Sequence, residues 1–211
     1  MLRGMNVRAS TILRFWFGET FDQEGGASDP AAAGIWFKKD AAFDDSIREA
    51  FSADMELAGR RELGAWATEA PHEAKGALAL VVLCDQFPRN VFRDSAEAFA
   101  QDSRALGVTQ SGRAKGLDRA LSLLERYVFL MPLMHAEDRD VQRESVAAFT
   151  ALAAAARGTP IEKLAAAAVD YAERHAKIVE RFGRYPHRNA ILGRPSTEEE
   201  TAFLKEPGSS F

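Results

Sequence analysis

Between Ile161 and Phe182 the residues Ile161, Leu164, Ala168, Tyr171, His175, Ile178 and Phe182 recur in steps of three and four. That spacing places them on one face of a single long helix, while Glu162, Asp170, Arg174, Lys177 and Arg181 fall around the rest of it. The same period runs through Leu124, Val128, Met131 and His135, where Pro132 is expected to kink the last turn. No stretch alternates apolar and polar residues long enough to suggest a sheet. The chain therefore reads as all-α.

Helix ends can be placed from local chemistry. Asp94 to Glu97, Ser122 to Glu125, Thr159 to Glu162 and Ser196 to Glu199 have the spacing of a capping box, in which a short polar side chain and a later carboxylate satisfy free backbone donors. Pro160 suits a first helical turn, and Gly158 and Gly183 suit left-handed helix ends. The first helix is expected to be capped by Ser10 or Thr11, and the segment from Gly25 to Pro30 to be a loop. These signals predict about eight or nine helices in antiparallel hairpins, forming a single domain over residues 1–211.

Composition narrows the function classes. With 27 Lys and Arg against 31 Asp and Glu, the net charge of -4 argues against a nonspecific nucleic-acid binder. The single cysteine, Cys84, permits no intrachain disulfide framework and no cysteine-rich zinc module. The apolar run from Ala77 to Cys84 is far shorter than a membrane span requires, and the patch from Ile12 to Phe17 contains Arg14 and lacks the features of a secretory signal. A cytoplasmic location is expected, with no nucleic-acid or membrane partner. Cys84, in an apolar helix, reads as inert packing.

The chemically informative residues fall in three places. Gln86-Phe87-Pro88-Arg89-Asn90 and Arg184-Tyr185-Pro186-His187-Arg188-Asn189 are a near repeat: an aromatic and a proline at a helix exit, then Arg-Asn. Two such loops could clamp an anion between forked guanidinium donors, or each could simply end a helix and cap its carbonyls. Asp85, at a helix carboxyl end, opposes the helix dipole and needs a partner. It is either in a structural ion pair with Arg89 or a general base held by Arg89 or His187. His135-Ala136-Glu137-Asp138 offers groups for proton transfer or ligand binding without a specific metal signature, and Asp138 could instead cap the next helix. Nucleotide-binding glycine loops and a nucleophile elbow are absent, and no cofactor or metal is indicated. The candidate acid-base residues are Asp85, His135 and His187. The candidate ligand-binding residues are Arg89, Asn90, Glu137, Asp138, His175, Arg184, Arg188 and Asn189.

Several segments together resemble a known family: Arg14-Phe15-Trp16-Phe17-Gly18, Trp36-Phe37, the Asp85 to Asn90 run, His135 to Asp138, Arg181 to Arg194, and the ending Glu206-Pro207-Gly208-Ser209-Ser210-Phe211. From about residue 10 to 211 the chain is similar to the bacterial and eukaryotic family catalogued as domain of unknown function 924. The resemblance implies a helical fold like that of tetratricopeptide-repeat proteins, although no regular 34-residue consensus is visible here, and it implies no established reaction. One departure is Ala136, where the family pattern leads to an expected serine. Two functions follow as expectations. One is a small-molecule enzyme or binder that takes a phosphate or carboxylate between the Arg-Asn loops and handles protons with His and Asp. The other is a helical scaffold with a groove for a peptide or protein partner.

Overall fold

A buried helical stretch organises the structure, because from Gly76 to Cys84 its sequence is wholly apolar. In the computed structural model, which describes residues 4–18 and 33–210, α4 (Glu73–Val81) runs into a π-helical turn (Val82–Gln86) and then α5 (Phe87–Val91). Residues 76 to 88 are all buried. A helix apolar on every side is stable only in a core, and α4 accordingly packs against α1 (Val7–Phe17), α6 (Asp102–Ala114) and α7 (Leu123–His135). Full burial of side chains such as Leu78, Leu80 and Leu83 contributes roughly 1.5–3 kcal/mol each.

The remaining segments enclose that centre. The short α2 (Ala33–Trp36) and the long α3 (Ala41–Gly59) follow the first helix, and α3 packs on α5. Beyond α7, α8 (Arg139–Ala155) packs on both α7 and α9 (Glu162–Phe182), consecutive helices joined by short connections. The chain then passes through a 3-10 turn (Pro186–Arg188) into α10 (Glu198–Phe203). No strand occurs among the described residues, and no helix among them is long and apolar enough to cross a membrane. The expected loop from Gly25 to Pro30 lies outside the described residues.

Local capping signals hold where they are strongest and are displaced where neighbouring residues compete. Ser122 and Glu125 form a capping box at α7, and Gly183 closes α9 in the left-handed conformation at φ 70. Gly158 also has a left-handed φ, of 73. The box expected at Ser196 is shifted by one residue to Thr197 and Glu200, because Ser196 accepts from the Asn189 side chain instead. Asn6, not Ser10 or Thr11, caps α1, its side chain accepting from the amides of Arg8 and Ala9. Asp94 sits at φ 60 and Ser95 precedes the following 3-10 turn. Pro160 lies before α9 rather than in its first turn, and the Glu162 carboxylate accepts from the Gly158 amide. Tyr171 belongs to the expected inner stripe of α9 but is 48% exposed, its ring covered by the Arg174 guanidinium at 4.3 Å.

Pro88 carries the most consequential departure. It does not end a helix, since the chain stays helical through Val91. Proline lacks the amide that would continue an α-ladder, and the preceding π turn, in which the Phe87 amide reaches the Val82 carbonyl, absorbs that break and lets Pro88 open α5.

Candidate functional site

The π turn delivers Asp85 to the interior, fully buried, against the carboxyl end of α7. His135 Nδ1 lies 2.7 Å from Asp85 Oδ1. A charged carboxylate only accepts hydrogen bonds, so Nδ1 carries the proton and donates it, leaving Nε2 as the basic nitrogen. Burial opposes the charge on Asp85. Arg89, His135 and the Gln86 amide outweigh it and bring the carboxyl down to about 2. His135 is pushed below the usual histidine range by burial and then by Arg89, against the pull of Asp85. The pair at neutral pH is therefore carboxylate and neutral imidazole.

One helical turn beyond Asp85, Arg89 Nη1 lies 3.1 Å from Asp85 Oδ1 and also donates to the Asp85 carbonyl. Its fork grips Asp102 at 2.8 and 2.9 Å. Arg188 arrives from the far end of the chain and donates to the same Asp102 at 3.2 Å. Its guanidinium lies over the rings of Phe99 and Tyr185, at 4.5 and 4.6 Å. Arg188 is only 7% exposed, and its Nε has no hydrogen-bond partner. Burial lowers its pKa, as does Arg89, while Asp102 resists. The arginines of the two Arg-Asn motifs thus share one carboxylate.

Around this centre stand aromatic and imidazole rings. His175 lies with its ring centroid 6.4 Å from that of His135 and 5.5 Å from that of Tyr185, and its Nδ1 donates to the Tyr171 carbonyl. His187 is 5.6 Å from Tyr185. Tyr185 is buried and donates its hydroxyl hydrogen to the Met134 carbonyl, and Gln142 donates to its oxygen.

Asp85, Arg89, His135, His175, His187 and Arg188 are thereby brought into one neighbourhood. The other candidates have separate bonds. Asn90 donates to Asp44, which also holds Arg93. Glu137 accepts from the Tyr185 amide and from both arms of Arg194, fixing the 3-10 turn on which Arg188 sits. Asp138 caps α8 through the Val141 amide. Arg184 grips Glu200, and Asn189 links Ser196, Glu200 and Arg194. Tyr185, the aromatic of the second Arg-Asn motif, completes the neighbourhood together with Asp102 and Phe99, which no sequence motif marks. In the first turn of α6, Asp102 looks like any acid complementing a helix dipole. Among the described residues no group of His, Cys, Asp and Glu is arranged to hold a metal ion.

Every residue of this neighbourhood falls within residues 12–208, the span that matches the family described as bacterial protein of unknown function (DUF924). The chain belongs to that family. A solved structure of a protein of unknown function from Agrobacterium tumefaciens, ATU0120, is similar at 36% identity and a TM-score of 0.75, over 94% of this chain and 97% of that one. No curated protein matches the chain.

Cys84 precedes Asp85 in the buried π turn of this DUF924 chain. Burial pushes its thiol up to about 12, with Arg104 opposing. The thiolate is the reactive form, so iodoacetamide at mildly alkaline pH is expected to leave Cys84 unmodified in the folded protein and to alkylate it fully in urea. Rapid alkylation of the native protein would mean that the helix opens.

Proposed function

We propose that this DUF924 chain binds a small oxyanion at Arg89 and Arg188 and uses the Asp85–His135 pair as an acid-base group beside it. The observation that carries the reading is the meeting of that pair with two arginines on a single carboxylate, Asp102. Neutral His135, with Nδ1–H held by Asp85, is set to accept a proton at Nε2. Arg188, nearly buried with an unpartnered Nε, has donor capacity that Asp102 does not use. Asp102 occupies the clamp as an internal competitor. A ligand must therefore carry more charge than one carboxylate, which favours a phosphate dianion. Positioning and proton transfer are the means of catalysis that such a site offers, with no covalent nucleophile required. Asn90, Glu137, Asp138, Arg184 and Asn189 enter this reading as supports for the clamp.

Asp102→Asn separates this reading from a structural one. Removing the competing charge is expected to tighten inorganic phosphate binding about tenfold, equivalent to about 1.4 kcal/mol. The binding would be followed by nitrogen NMR of the Arg188 Nε–H and the His135 ring. If millimolar phosphate moves neither signal in the wild type or in Asp102→Asn, the clamp is structural. The tetratricopeptide-repeat-like scaffold then becomes the better account. That alternative needs a continuous apolar groove, whereas among the described residues the exposed large apolar side chains, Val7, the neighbours Ile35 and Phe37, Phe92, Tyr171 and Leu204, are spread over five segments.

A further inference from the structure

On the other side of α6 lies a cleft of about 270 Å³ between that helix, α4 and the turn after α3. Its charged lining is Arg61, Arg104 and Lys115, and no carboxylate lines it. None of the three forms an ion pair with a described residue. Arg61 and Lys115 are exposed, as solvated surface cations commonly are. Arg104 is instead partly buried where it lines the cleft, and its guanidinium also interacts with the Cys84 thiol. Three like charges around one cleft repel each other, and an anion between them offsets that repulsion. Hydroxyls of Ser103 and Ser111 add donors, and the walls include Leu80 and Val108.

We propose that this cleft binds a phosphate monoester, its dianionic head among Arg61, Arg104 and Lys115 and its apolar body against Leu80 and Val108. A monocarboxylate would balance only one of the three charges. The site is distinct from the Asp85–His135 neighbourhood: Asp102 and Arg104 are two residues apart, about 200° around α6, so the helix presents them to opposite sides.

Gly107 supplies a variant that fills the cleft without disturbing the core. It lines the cleft in the middle of α6, and a Cβ added there meets nothing within 4 Å. Gly107→Leu also raises helix propensity, so its Tm is expected to match or exceed that of the wild type. Calorimetric titration with phenyl phosphate is expected to show binding to the wild type that is tighter than inorganic phosphate. Arg188→Lys should retain one component of that binding, the cleft's own, which Arg104→Gln should weaken roughly tenfold and Gly107→Leu should abolish. Absence of wild-type binding, or unchanged affinity in both cleft variants, would overturn the proposal. Loss in Arg188→Lys with normal binding in Gly107→Leu would also overturn it, and would assign the phosphate to the Asp85–His135 site.

Discussion

Gly76→Ala is expected to destabilise the fold by about 3 kcal/mol or more, the upper range for forcing atoms into a packed interior. A Cβ at Gly76 would stand 1.8 Å from the Trp66 carbonyl oxygen and 2.4 Å from its carbon. Those are backbone atoms of the 3-10 turn Gly64–Ala67, so no rotamer change relieves the overlap. Either the turn lifts or α4 moves, and α4 leads directly into the turn carrying Asp85. Urea unfolding should show a lower midpoint with little change in slope, accompanied by a shift of the His135 ring signals. A loss under about 1 kcal/mol would show that turn and helix do not meet at Gly76.

Acidification should produce a loss of comparable size. His175 is held down to about 3, chiefly by burial, with the Tyr171 carbonyl opposing and His135, Arg188 and His187 adding to the depression. His187 is held at about 4 by burial and Arg188, against Glu137. An unfolded histidine titrates near 6.5. Below that pH the unfolded chain takes up protons that the native histidines refuse, so their contribution is full above pH 6.5 and is lost as pH falls toward 4 and then 3. Each group contributes a slope of up to about 1.4 kcal/mol per pH unit. Asp85 and Glu200, both near 2, lose their contributions as pH falls from the ordinary carboxylate range near 4 toward 2, so they add little to the slope between pH 6.5 and about 4.5. Stability at about pH 4.5 is expected to be lower than at pH 7 by about 3–5 kcal/mol. His175→Gln should remove about half of the difference. A flat profile over that interval would rule out buried neutral histidines.

The all-helical fold was legible because helix period and capping are local: α9 and the Ser122 box depend on residues within a few turns of each other. Family membership was legible for a related reason, since the segments that carry it are short and distinctive. What the local patterns left open is partnership. Asp85 meets His135 across 50 residues and Arg188 meets Asp102 across 86, and no spacing rule connects such positions. Pro88 misled for a physical reason as well. The expectation that proline ends a helix assumes an α-ladder, and the π turn before it supplies a different one.

That π turn also sets the phase of everything after it. An ordinary α-helix advances about 100° per residue, so the one extra residue in a π turn rotates the following segment by about that angle relative to α4. The rotation is what lets Arg89 look back toward Asp85 and across to Asp102 while Asn90, its neighbour, reaches Asp44 on α3. A single-residue deletion within Val82–Gln86 would keep the composition and helicity of this segment almost intact and yet turn its chemistry away from His135 and Arg188. In this protein, the length of one helical turn is as much a determinant of the site as the side chains that compose it.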